Sequence, residues 1–255
     1  MKFLLVSDLH YELRQYDWLH SVAADFDTVV IAGDHLDIVS VVPVRAQRVV
    51  VLNHLKRLNI ETRVLTSSGN HDLDGRNSAG EKTARWMSEV RRAGIPCDGD
   101  RLDIQGAMVS ICPWWDGPFA REEIGRQLAA DADRRTGPWI WVYHAPPSNS
   151  PTSWAGKRHY GDDALVEWID RFQPDGVLCG HIHQSPFRKE GSWVDRLGST
   201  WVFNAGKQIG PVPAHIVFDS DTGLVSWHSL AGSEYVDLSA PPSDCQPREW
   251  TALSQ

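Results

Sequence analysis

The chain has 255 residues, 42% of them hydrophobic, and a formal charge of -8 at pH 7. That length can bury one substantial core and suits a single α/β domain, so a second full domain is not expected. The acidic balance and the lack of a dense Lys/Arg run argue against a long nucleic-acid track, whose affinity would come mainly from neutralising phosphates.

The opening run, residues 2–6, is apolar and reads as a buried strand; Ser7-Asp8 interrupts it too early for a signal peptide. Strand-like and helix-like segments then alternate. Short apolar runs at 28–32, 63–67, 139–143 and 176–179 predict further buried strands. Helices are predicted over 15–24, 44–58, 81–93, 121–134 and 163–172, several with apolar residues at i, i+3 and i+4. Pro43 and Asp162-Asp163 read as helix starts and Gly94 as a stop. Two hairpins are expected, 101–105 with 108–113 around Gly106-Ala107, and 215–219 with 224–230 around Asp221-Thr222-Gly223. This pattern fits an α/β protein built as a four-layered αββα sandwich, two mixed sheets with flanking helices. Residues 1–231 form the domain in this reading. After Ala231, Ser, Pro and Asp accumulate, so residues 232–255 are expected as an extended or loosely packed tail.

The strand ends carry the chemistry. Asp8-Leu9-His10, Gly33-Asp34, Gly69-Asn70-His71-Asp72, His144 and Gly180-His181-Ile182-His183 each follow an apolar run, which would gather them at one edge of a sheet. Carboxylate, imidazole and amide oxygen without thiolate form a set that suits manganese, iron, zinc, cobalt or nickel better than calcium. Two such ions about 3.5 to 4 Å apart can share a bridging carboxylate and hydroxide and clamp a phosphoryl group during in-line displacement. Asp34 is the natural bridge. Asp8 and His10 stand two apart, as do His181 and His183, so each pair can face one way and serve one side of that bridge.

The ordered set Asp-x-His, Gly-Asp, Gly-Asn-His-Asp, a lone His after a strand and Gly-His-x-His resembles the calcineurin-like metallophosphoesterase superfamily across residues 4–206. The resemblance implies the same αββα fold and a binuclear phosphoesterase, a phosphodiesterase or phosphatase. It implies that Asp8, His10, Asp34 and His183 hold a first metal, and that Asp34, Asn70, His144 and His181 hold a second. His71 is then a non-ligand histidine beside the scissile phosphate, where it and Asn70 meet substrate. Asp37 would orient its ring and keep it protonated, since a paired imidazole has a raised pKa. A catalytically silent scaffold of the same fold and a nuclease relative are the alternatives. The nuclease would need a capping domain and a basic surface that the sequence lacks.

Other residues carry less. Asp72 fits either support of the ligands or a helix cap. His35 fits a pocket lining or a packed interior position, whereas His20, His54, His215 and His228 read as structural or surface residues. Of the 12 tryptophans, Trp114, Trp115, Trp139, Trp141, Trp168, Trp193 and Trp201 read as packing. Trp154, in the Pro- and Ser-rich connection 145–161, is a candidate for stacking on a planar substrate group, or an anchor for its loop. Cys97, Cys112, Cys179 and Cys245 lack CxxC spacing and read as free or buried thiols, which fits a reducing cytoplasm. No stretch approaches the roughly 18 apolar residues of a membrane span. The expected partner is a small-molecule phosphate ester.

Overall fold

The computed structural model describes residues 2–239 and 248–249. In chain order the elements are β1 Lys2–Val6, α1 Leu13–Val22, β2 Thr28–Ala32, α2 Val44–Glu61, β3 Arg63–Ser67, β4 Gly75–Arg76, β5 Lys82–Thr83, α3 Met87–Arg92, β6 Arg101–Ile104, β7 Ala107–Ile111, α4 Pro118–Ala132, β8 Trp139–Val142, α5 Asp163–Phe172, β9 Gly176–Cys179, β10 Val194–Leu197, β11 Thr200–Asn204, β12 His215–Asp219, β13 Leu224–Ser229, β14 Gly232–Asp237 and β15 Arg248–Glu249.

Two mixed sheets organise them. One runs β15-β14-β13-β12-β1-β2-β3 and the other β10-β11-β9-β8-β7-β6. Alternation along each strand supplies three cores, because successive side chains point to opposite faces. Leu4 and Val6 of β1 pack with Val29, Ile31 and Val64 against Leu19, Val51, Leu55 and Val90 of α1, α2 and α3. Leu5, Val30 and Leu65 face the other way and meet Val109, Val142, Leu178 and Phe203 between the sheets. On the far side Trp139, Trp141 and Val177 pack on Ile124, Leu128, Leu165 and Trp168 of α4 and α5. The molecule is therefore the αββα sandwich. Among the described residues no helix is long and apolar enough to cross a membrane.

Within each sheet the central strands are parallel: β1, β2 and β3 in one, β7, β8, β9 and β11 in the other. Parallel strands deliver their carboxyl ends to one edge. At the opposite end the sandwich opens into an apolar cavity of about 790 Å³, lined by Phe3, Val30, Leu65, Ile140, Leu178 and Phe203 among others.

Two local expectations fail. The helix expected over 81–93 is only α3, because Lys82–Thr83 pairs with Gly75–Arg76 instead. The Glu81 carboxylate accepts from the N–H groups of Phe119 and Ala120, both at 2.8 Å, and so caps α4 from a distance. A tertiary contact has overridden a helical pattern there. Within the expected loose tail, Gly232–Asp237 instead pairs in register with β13 and buries Val236, extending the sheet. The rest of that tail, residues 240–247 and 250–255, and Cys245 with it, lies outside the described residues. Cys97, Cys112 and Cys179 are buried free thiols.

Candidate metal centre

Five strand ends contribute to one edge. Asp8 and His10 leave β1, Asp34 leaves β2, Asn70 and His71 lie on the turn after β3, His144 follows β8, and His181 and His183 follow β9. Four of these residues adopt left-handed backbone angles: Asp8 (φ 56°), His10 (φ 42°), Asp34 (φ 55°) and His181 (φ 66°). Such angles cost non-glycine residues about 1 to 3 kcal/mol each and persist only where the surroundings enforce them. The enforcement is visible: Asp8, His10 and Tyr11 donate their N–H groups to the carbonyls of Gly33, Asp34 and His35 at 3.1, 2.9 and 2.8 Å. The chain makes room with glycines. A Cβ on Gly69 would lie 2.2 Å from Asp34 Oδ1, and one on Gly180 would lie 2.4 Å from Asp8 Oδ2.

Candidate ligand atoms of Asp8, His10, Asp34 and His183 lie within 4.8 Å of one another, as do those of Asp34, His144 and His181. Asp34 belongs to both groups. Its Oδ2 is 3.6 Å from His10 Nε2 and 3.3 Å from His144 Nε2, while its Oδ1 accepts the His71 N–H at 2.8 Å. His183 Nε2 is 3.2 Å from Asp8 Oδ1 and 3.1 Å from His10 Nε2. Neighbouring atoms bonded to one ion at about 2.0 to 2.2 Å stand about 3 to 3.6 Å apart, and most separations in this cluster, from 3.1 to 3.6 Å, match that spacing. His181 and His183 do not act as one pair: the left-handed turn at His181 sends the first ring to the His144 side and the second to the Asp8 side.

Two of the candidate ligand atoms are buried without a hydrogen bond of good geometry, and they test the fit of a metal. His144 Nδ1 hydrogen-bonds the Ala32 carbonyl at 2.6 Å, which leaves its Nε2 buried without a hydrogen bond. Asn70 Oδ1 is likewise buried and unpartnered. Buried polar atoms are nearly always satisfied, and an imidazole whose Nδ1–H is held by a carbonyl is the usual arrangement of a metal ligand. The donor set fits divalent cations of the manganese-to-zinc series.

The protein's own charges polarise the site. Burial alone would raise the Asp8 pKa, but hydrogen bonds to His10 and His183 and the charge of His144 hold it well below the usual carboxylate range. Burial would likewise depress His144, yet Asp34 beside it pushes it up to about 9. His181 is lowered to about 4, by burial and then by His144.

His71 packs edge-on against the His10 ring, centroids 4.4 Å apart, and its Nδ1 is buried without a partner. An Asp37 oxygen lies within 4.8 Å of the His71 ring, but no hydrogen bond joins them; Asp37 Oδ1 accepts from Val39 N at 3.0 Å. Burial lowers the His71 pKa and outweighs the opposing pull of Asp34 and Asp37. Asp37 is fixed through its backbone, which exchanges hydrogen bonds of 2.8 and 2.9 Å with the buried Gln47 amide. Trp154 is not among the residues lining the cavity beside His10, His71 and His183; its ring packs on His159 with centroids 5.0 Å apart.

His35 and Asp72 support the site from behind. His35 is fully buried between Tyr16 and Thr66, and burial lowers its pKa to about 4. Asp72 accepts from the N–H groups of His35 (3.1 Å), Leu36 (3.1 Å) and Gly69 (2.8 Å), tying the Asp34 loop to the Asn70 loop. Burial and then Asp34 raise its pKa well above normal. Removing the acceptor would strand these buried N–H groups at about 1 to 3 kcal/mol each. Asp72→Ala should therefore lower the urea midpoint markedly, and an unchanged midpoint would refute the tie.

Two residues at this edge were not expected there: Trp114 was read as packing, and Lys207 stands in none of the motifs. Trp114 packs its indole 5.6 Å from the His144 ring and 5.2 Å from the His181 ring. Lys207 follows β11 and lines a cavity of about 340 Å³ with His10, His71, His183, Asp37 and Ile209. Burial lowers its pKa against the pull of Asp8, Asp37, Asp34 and Glu12. Both sit just past the carboxyl end of a parallel strand, the signal that located the other clusters.

This αββα sandwich brings carboxylates, imidazoles and an amide together at the carboxyl ends of its strands, where ligands bind in such sheets. The chain belongs to the calcineurin-like phosphoesterase family, whose profile matches residues 1–185. A comparison with curated protein sequences finds no match. Among solved structures, TT1561 of Thermus thermophilus is similar at 14% identity, covering 93% of this chain and 98% of that one with a TM-score of 0.61. A dimetal phosphatase from Danio rerio is similar at 11% identity, covering 89% and 95% with a TM-score of 0.59. The purple acid phosphatase PPD1 from yellow lupin (Lupinus luteus) seeds is similar at 14% identity, covering 98% of this chain and 52% of that one with a TM-score of 0.51. At these identities the likeness establishes the fold.

Proposed function

We propose that this chain is a binuclear metal-dependent phosphoesterase acting on small phosphate esters, a phosphodiester or a phosphomonoester. The observation that carries the reading is Asp34 Oδ2, one carboxylate oxygen placed between two ligand clusters, 3.6 Å from His10 Nε2 and 3.3 Å from His144 Nε2. Asp8, His10, Asp34 and His183 would hold one ion, and Asp34, Asn70, His144 and His181 the other. Bound there, such a pair supplies Lewis acidity, lowering the pKa of a water and drawing charge from phosphoryl oxygens.

The protein's own residues set the stage. Asp34 Oδ1 holds the His71 backbone and so fixes that ring at the rim of the cavity, where it can donate to the departing oxygen. Asp72 holds the two loops in register, and Trp114 shields the His144 side from water. The presence of every expected ligand together with His71 favours an enzyme over a silent scaffold.

The test is direct. Protein refolded or expressed with manganese, cobalt, nickel or zinc should take up two ions per chain by elemental analysis and hydrolyse members of a phosphate-ester panel. Fewer than one ion per chain, or no turnover with any of these metals, would remove the two-metal reading.

A further inference from the structure

The segment Asn204-Ala205-Gly206-Lys207 is locked onto the His181–His183 loop more firmly than its sequence suggests. The buried Asn204 side chain donates to the carbonyls of Thr152 (2.9 Å) and Ile182 (3.1 Å) and to Ser185 Oγ (3.0 Å), while its Oδ1 accepts from Gly206 N at 2.8 Å. Gly206 has φ 69°, and a Cβ there would lie 2.7 Å from Pro186 and 3.0 Å from the His183 carbonyl, the atom that accepts the Lys207 N–H at 3.0 Å. From the other side the buried Gln15 amide donates to the carbonyls of Gln208 (3.1 Å) and Gly210 (3.0 Å), and Gln208 itself binds Val212 O and Leu230 N. Such a concentration of buried donors on one short loop fixes where its side chains emerge.

What emerges into the cavity is a single cation. Among the described residues Lys207 is the only Lys or Arg lining that space, and no carboxylate of those residues lies within ion-pair distance of its ammonium. Glu12, also in the lining, is paired with Arg14 at 3.1 Å, and Asp37 is engaged by Val39 N. A lysine left unpaired beside three histidines awaits an anion.

We infer that Lys207 selects phosphomonoesters, its ammonium meeting the third terminal oxygen of a phosphoryl group whose other two face the candidate ligand clusters. A diester has no such oxygen; an ester link takes its place. A monoester is also close to a dianion at pH 7, since its second pKa is about 6, and gains more from one added cation. The inference rests on the phosphoesterase reading and narrows its substrate class.

Lys207→Met keeps the length of the side chain and removes its charge, and Lys207→Arg restores charge. With manganese-loaded protein, Lys207→Met should lower kcat/KM for 4-nitrophenyl phosphate about 10- to 100-fold, the value of a charge-assisted hydrogen bond, and for bis(4-nitrophenyl) phosphate by no more than about threefold. Lys207→Arg should recover part of the monoester loss. Equal losses on both esters, or none on the monoester, overturn the inference. Calorimetry with inorganic phosphate separates this from failure of the parent reading. If the wild type turns over neither ester, the phosphoesterase reading falls, and the role of Lys207 is decided by phosphate binding alone. Weakening of about tenfold or more in Lys207→Met upholds it; equal binding by both proteins, or none by the wild type, overturns it.

Discussion

Replacing Asp34 with asparagine is expected to remove most of the activity and to weaken metal uptake at both clusters. Its Oδ2 stands 3.6 Å from His10 Nε2 and 3.3 Å from His144 Nε2, so one oxygen serves both groups. An amide can keep only one of the two roles. If its oxygen still accepts the His71 N–H, its NH₂ points at the imidazoles and repels a cation; if it turns over, His71 loses its anchor. A metal pair contributes several kcal/mol of transition-state stabilisation, so kcat/KM should fall by about 10³-fold or more. Asp8→Ala provides the contrast. Asp8 Oδ1 lies 3.2 Å from His183 Nε2 and 3.8 Å from His10 Nε2, so this variant should chiefly empty the first cluster. Elemental analysis of both variants checks the pattern, and an Asp34→Asn protein with wild-type metal content would rule out a bridging role.

The second large effect belongs to His71. Its ring contacts His10 edge-on and lines the cavity, and it lies near His10 and Asp37 but outside the two groups that share Asp34. His71→Ala should therefore keep its metals while kcat drops by about 10² to 10⁴, the range for loss of a general acid. The loss should shrink for nitrophenolate leaving groups, which barely need a proton. Equal losses for good and poor leaving groups would indicate positioning of the phosphate instead. Asp37→Asn should give a milder version, because Asp37 reaches His71 through its charge and not through a hydrogen bond.

The gathering of these residues was legible because each follows an apolar run, and parallel strands bring such ends to one edge. What the linear pattern could not convey was direction. The spacing of His181 and His183 suggests one pair on one side, but a positive φ at His181 parts the two rings. Lys207 stands in no recognisable motif and Trp114 reads as one packing tryptophan among several; only the pairing of β11 with β9, and of β7 with β8, places them at the site. The helix expected across 81–93 failed for a related reason: its i, i+3 pattern is local, whereas Glu81 is committed to a helix more than 30 residues away. The sandwich itself was readable because its strands are short continuous apolar runs, buried on both faces, and such a run depends on nothing remote.

The candidate ligands are divided between the sheets, Asp8, His10, Asp34 and Asn70 on one and His144, His181 and His183 on the other. Ions shared by both groups would act as a clasp, fastening one end of the sandwich while the far end stays open around its apolar cavity. Only the closed arrangement can offer the full ligand set, so metal would bind the folded chain and not the unfolded one. Each tenfold excess of free metal over its dissociation constant would then add about 1.4 kcal/mol to the stability of the whole molecule. The same ions that would serve turnover would thereby decide how long the protein survives heat, and metal starvation would cost the cell the protein itself as well as its activity.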